Sequence, residues 1–225
     1  MIFPIGDDQV KGGYFPLFSY AFIFINLAVF VYELTIMQSG GIDAFFMTYG
    51  AIPTETMRGE RLFTLLTSMF IHGSWLHFIG NMLFLWVFAD NIEAVIGNFR
   101  FLLFYFIGGL AAHFAHIYFN LESTVPTIGA SGAISAVMGT YLVMFPTSRV
   151  KMLFFVFVFR IPAVLFLGFW IFQQYNQGVA SLSILEDSTG VAWWAHIGGF
   201  AFGVLAGVYY RLQGLTENAL PSKYV

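Results

Sequence analysis

Six apolar stretches, carrying almost no charge, are set along this chain between polar connections. No arrangement of them leaves a surface that water could cover. Only 9% of the 225 residues are charged, 59% are hydrophobic, and the mean hydropathy is +0.79. A soluble domain carries about 25% charged residues, whereas six spans of about 20 residues each match both the length and a hydrocarbon core of about 30 Å. The expectation is therefore an all-α membrane protein: a six-transmembrane-helix bundle in one domain over residues 1–225, embedded in a lipid bilayer. A net charge of −3 without a basic cluster gives no footprint for a nucleic-acid partner. The absence of cysteine excludes disulfides, thiolate metal sites and thiol catalysis.

The spans fall at residues 14–36, 75–96, 101–119, from Ser131 to Pro146, at 161–174 and at 191–212. Pro146 cannot continue the fourth helix, and the apolar run 152–159 is placed at the membrane interface. A long first loop, 37–74, separates the first two spans. Placing both termini in the cytoplasm puts Lys11, Arg100, Arg149, Lys151, Arg160, Arg211 and Lys223 inside, and only Arg58 and Arg61 outside. That asymmetry follows the positive-inside rule. The second, fourth and sixth helices then share a direction, and their N-terminal ends share the outer face.

Polar residues sit near all three of those ends. His77 and Asn81 are four apart, on one face of the second helix. Ser131 opens the fourth within GASGAISAVMG, and His196 lies in VAWWAHIGGFAFG of the sixth. From Asn81, Ser131 and His196 to the far ends of their helices is about 21–24 Å in each case. All three thus lie at a similar depth below the outer interface. Any one of these groups alone reads as an interhelical hydrogen bond worth about 0.6 kcal/mol. At a common depth on parity-matched helices they read instead as one site, because polar groups in hydrocarbon face a bundle interior or a wet cavity.

A serine hydroxyl beside an imidazole is the minimum for nucleophilic acyl transfer. Gly129 and Gly132 flank Ser131 and permit a sharp entry into the helix and close backbone approach. First-turn N–H groups at a helix start suit a developing oxyanion, and Asn81 and His77 can add donors. In the sixth span Gly199, Gly203 and Gly207 recur every four residues, while Gly132, Ala136 and Gly139 form a similar strip on the fourth. Such strips let two helices meet closely, bringing His196 to Ser131.

These segments resemble the rhomboid family of intramembrane serine proteases. GASG around Ser131 is similar to its GxSG nucleophile motif, AHIGG at 195–199 to its AHxxG base motif, and HGSWLHFIGN at 72–81 to its HxxxxHxxxN segment. The likeness runs over about 63–210. It implies a rhomboid-like bundle in which Ser131 and His196 form a catalytic dyad with no acidic third member and no cofactor. It also implies that Asn81, His77 and the Ser131 N–H hold the oxyanion, and that the substrates are transmembrane proteins, cut in or beside their membrane segments. Entry between helices would use the fifth helix and the loop at 175–190 as a gate. Two departures stand out. The family's Trp-Arg pair in the first loop is here Arg61 without the tryptophan, and Ser135 stands where some members carry an aromatic residue against the base.

Other polar residues read as structural. His72 fits a loop role, His113 and His116 an interfacial one rather than a metal site, Asp90 and Glu93 capping or pairing, and Asp187 a loop position. A non-proteolytic rhomboid-like protein that binds transmembrane segments would lack the nucleophile or the base, and both are present. A channel or transporter predicts matched, broken halves, which the sequence lacks. A compact six-span chain whose N-terminus is no signal peptide suits a bacterial inner membrane, with the site opening to the outer side.

Overall fold

The computed structural model describes residues 2–8, 10, 12–182 and 190–215. The chain opens with strand β1 (Ile2–Gly6) and helix α1 (Leu17–Gln38). Between residues 39 and 74 come three short helices, α2 (Ile42–Tyr49), α3 (Pro53–Met57) and α4 (Thr64–Thr67), and a 3-10 turn (Ser68–Phe70). Helices α5 (Trp75–Ile96), α6 (Asn98–Phe119) and α7 (Ser131–Met144) follow. A hairpin of β2 (Arg149–Phe154) and β3 (Phe157–Pro162) then leads into α8 (Ala163–Ser181), and α9 (Trp193–Leu212) completes the bundle.

Local chemistry explains the boundaries. Ser74 caps α5, its hydroxyl accepting the His77 N–H at 3.2 Å. Gly97, at φ 85°, is the whole connection between α5 and α6, and α7 stops short of Pro146. The start of α1 is capped from another helix: the Glu93 carboxylate of α5 accepts the N–H groups of Phe18 at 2.8 Å and Ser19 at 2.7 Å. Among the described residues three helices, α1, α5 and α6, are long and apolar enough to cross a membrane, and α7 is a shorter apolar helix.

Contacts along the helices set their directions. Gly199, Gly203 and Gly207 of α9 meet Gly132, Ala136 and Thr140 of α7 in that order, so the two helices run parallel. On α5, Asn81 shares a cavity with Ser131, and Phe88 meets Tyr141 edge-on further along, so α5 is parallel to both. The shared direction of these three helices matches the sequence expectation. The α7–α9 contact is made at backbone distance: a Cβ on Gly199 would lie 2.2 Å from the Gly132 carbonyl oxygen, and one on Gly203 would lie 2.0 Å from that of Ala136. Thr140 Oγ1 adds a 2.8 Å bond to the Gly203 carbonyl.

The helices stand close to where the sequence places them, with two differences. The fifth continues to Ser181 instead of ending at residue 174. The run expected at the interface forms β2 and β3, which pair with β1 in a three-stranded antiparallel sheet. An all-α description is therefore incomplete. A short apolar run fits strand or helix equally by hydropathy, and here β-branched and aromatic residues with an alternating burial pattern favour the strand. Arg61 ties the segment between α1 and α5 together without a tryptophan neighbour. Its guanidinium bonds the carbonyls of Met47 and Thr48 and pairs with Glu55 at 3.2 Å.

Substituting Gly203→Val forces side-chain carbon onto the Ala136 carbonyl. Thermal unfolding in detergent should show a clear loss of stability, of at least about 1–3 kcal/mol; Gly80→Ala, in open space, should be near neutral.

Candidate active site

Gly129 takes φ +122°, a conformation that side chains other than glycine rarely adopt, and donates its N–H to the Ser68 carbonyl at 2.8 Å. A Cβ there would fall 2.6 Å from His77 Nε2, so the glycine is also what lets the His77 ring approach this turn. Ser131 is the first residue of α7, and the N–H groups of that first turn have no partner within the helix. Ser135 lies one turn on, its hydroxyl donating to the Ser131 carbonyl at 2.6 Å.

Across the glycine contact, His196 of α9 places Nε2 2.8 Å from Ser131 Oγ. Its Nδ1 lies 2.7 Å from Gln174 Oε1 on α8. An amide oxygen only accepts, so Nδ1 carries the proton and Nε2 is left to accept from the Ser131 hydroxyl. The ring is flanked by two tryptophans: Trp170 at a centroid distance of 5.8 Å and Trp193, perpendicular, at 6.3 Å. Trp170 comes from α8, a different helix from the one that carries Ser135.

His77, Asn81, Ser131, Trp170 and His196 line one cavity of about 530 Å³. Asn81 is buried, and its Nδ2 has no hydrogen-bond partner among the described residues. Trp194 Nε1, the Tyr105 hydroxyl and both His72 ring nitrogens are likewise buried without a partner among the described residues; what sets the Asn81 amide apart is that it borders the cavity shared by Ser131 and His196. His72 lies behind His77, with ring centroids 5.1 Å apart, and its backbone N–H meets the Glu33 carboxylate at 3.2 Å. Burial, reinforced by His77, pushes the His72 imidazole down to about 3, so the ring is neutral.

All four polar residues singled out in the sequence therefore border one cavity. The remainder stay apart. His113 is buried on α6, 3.1 Å from Ser68 Oγ rather than at an interface, and His116 lies near Asn120. Glu93 caps α1, and Asp90 accepts the Asn91 N–H at 2.7 Å. Asp187 lies outside the described residues. Gln174 and Trp170 were missed. Gln174 stood at the expected end of an apolar span, where a polar residue is unremarkable; only the continuation of α8 to Ser181 puts it inside the bundle.

Residues 59–213 match the Rhomboid domain, and the chain belongs to the rhomboid family. It is 27% identical over 194 residues to Rhomboid protein 1, mitochondrial, of Saccharomyces cerevisiae, covering 84% of this chain and 52% of that protein. RHOMBOID-like protein 12, mitochondrial, of Arabidopsis thaliana is 28% identical over 200 residues, covering 82% and 55%. Rhomboid protease GluP of Bacillus subtilis is 30% identical over 134 residues, covering 60% and 26%. The chain spans about half the length of the first two. The mitochondrial relatives overturn the expected bacterial inner membrane, and with it the cytoplasmic placement of the termini. Hydropathy reports that a helix suits a bilayer and carries no record of which one.

The tautomer is directly measurable. In protein labelled with ¹⁵N-histidine, His196 should show a protonated Nδ1 and an unprotonated Nε2. Gln174→Leu, which removes the acceptor, should yield a mixture of tautomers.

Proposed function

We propose that this chain is an intramembrane serine endopeptidase that cuts membrane proteins in or beside their transmembrane segments. In this reading α1, α5, α6, α7, α8 and α9 are six membrane spans in a single domain, and the short helices of residues 39–74 form a long first loop. The membrane is mitochondrial, as the names of the yeast and Arabidopsis relatives suggest. The observation that carries the reading is the 2.8 Å approach of His196 Nε2 to Ser131 Oγ, with Nδ1 engaged by Gln174, beside the unpartnered Asn81 amide.

Ser131 Oγ attacks the scissile carbonyl as its proton passes to His196 Nε2. The developing oxyanion is met by the Asn81 amide, the His77 ring and the Ser131 N–H, donors fixed before the reaction in a site of low dielectric. His196 then protonates the leaving amine, and a water activated by the same imidazole releases the acyl group from Ser131. Gln174 serves as a positioning residue. Being neutral, it holds the ring and tautomer but stabilises the imidazolium less than a carboxylate would. Because it stands on α8, the proposed gate, the ring is held fully only while that helix is against α9.

In a cleavage assay with a transmembrane reporter, Ser131→Ala and His196→Ala should be inactive while remaining folded. Asn81→Ala should lose about 10²–10³ in kcat. Gln174→Leu should lose about ten- to hundred-fold in kcat with little change in KM, and Gln174→Glu, which keeps an acceptor, should retain more. Full activity of Ser131→Ala would remove this mechanism.

A further inference from the structure

The hairpin between α7 and α8 has no place in the reaction. In β2 the side chains alternate, with Val150 and Met152 buried in the helical core and Arg149 and Lys151 on the other face. The register with β3 assigns both faces: Val150 pairs with Ile161, Met152 with Phe159 and Phe154 with Phe157, while Lys151 pairs with Arg160. On β1, Pro4 is opposite Met152 and is also buried. On β1 and β2 two successive rows are therefore covered by the bundle, whereas on β3 Ile161 is half-buried and Phe159 is 39% exposed. A sheet standing away from the helix ends would lose that cover after its first row, so this one lies flat against them.

Its far end is uncovered. Phe154, Phe157 and Phe159 share the face turned toward the bundle, yet Phe154 is 41% and Phe157 69% exposed. The turn residues Phe155 and Val156 are 74% and 83% exposed. Phe155 has φ +53°, where asparagine or glycine is favoured in a tight hairpin turn; an aromatic residue is retained there against its backbone preference. The opposite face carries Arg149, Lys151 and Arg160, and none of them forms an ion pair among the described residues. The hairpin is apolar at its end, where Leu153 and the 59% exposed Val158 back the phenylalanines, and cationic nearer its base on the face turned away from the helices.

What surrounds a membrane bundle at its rim is lipid. We infer that the Phe154–Phe159 end of the hairpin lies in the bilayer leaflet at the face where α7 ends, with its phenylalanines among the acyl chains and Arg149, Lys151 and Arg160 against anionic headgroups. This is the arrangement of interfacial amphipathic elements, in which apolar burial and attraction to anionic lipid act together. Because Pro162 of β3 runs directly into α8, the anchored hairpin would fix the foot of that helix. The inference stands independently of proteolysis.

The chain contains no cysteine, so Val156→Cys can carry a single environment-sensitive NBD label on the whole 225-residue chain. The labelled protein is reconstituted into phosphatidylcholine vesicles with and without phosphatidylglycerol, with Glu122→Cys as a polar-loop control. Lipids brominated on the acyl chains should quench the Val156 label, and iodide should quench it about five-fold less than the control. Adding Arg149→Gln, Lys151→Gln and Arg160→Gln should abolish any deepening produced by phosphatidylglycerol. Iodide quenching equal to the control, with none by bromolipid, would overturn the inference. Shielding that disappears as the protein is diluted in lipid would overturn it in favour of a contact between copies.

Discussion

Helices α7 and α9 touch through their backbones. Gly199 and Gly203 leave the Gly132 and Ala136 carbonyls no room for a Cβ, Gly139 is as tight against the Phe200 carbonyl, and the Thr140 hydroxyl ties the pair across Gly203. Lipid supplies no hydrophobic drive for helix association, so close van der Waals packing and interhelical hydrogen bonds must do it. This contact fixes the register of the two helices. Since Ser131 starts α7 and His196 lies in the first turn of α9, register alone sets whether their reacting atoms meet. Gly108 and Gly109 of α6 approach Ala136 and Ala133 on another face of α7, which leaves that helix buried along most of its length.

Around this contact the buried polar groups fall into two kinds. Glu93 caps α1, the Glu33 carboxylate receives the His72 N–H, and the Ser135 hydroxyl is spent on the preceding turn. Each is satisfied within the protein, as a group removed from water must be, and each is structural. Asn81 differs because its amide donor is left unpaired in the cavity that also holds the Ser131–His196 contact. Other buried atoms, among them Trp194 Nε1 and the Tyr105 hydroxyl, are also unpartnered among the described residues, so it is the place of Asn81 in the cavity beside Ser131 and His196 that distinguishes it.

Much of this was legible in the sequence. Apolar runs placed the long helices, and the four-residue glycine period on the sixth span announced the backbone contact with α7. The common direction of three helices brought Ser131, His196, Asn81 and His77 together before any coordinates. What could not be read depended on contacts across the chain. Gln174 looked like the polar edge of a span until α8 proved longer, and Trp170 was one aromatic among many. The hairpin was hidden because a short apolar run has no preference between membrane and strand until its pairing with β1 is known. Arg61 shows the converse: the missing tryptophan was visible, but not that Met47, Thr48 and Glu55 would hold the guanidinium instead.

The central claim is that register and tautomer together make the Ser131 hydroxyl nucleophilic inside an apolar bundle that contains several other serines. Reaction of the folded, detergent-solubilised protein with a fluorophosphonate, with the adduct mapped by mass spectrometry, tests it most directly. The account predicts one adduct, on Ser131, that disappears in His196→Ala. Folded protein that stays unlabelled, or an adduct on Ser135 or Ser68 that persists without His196, would contradict it.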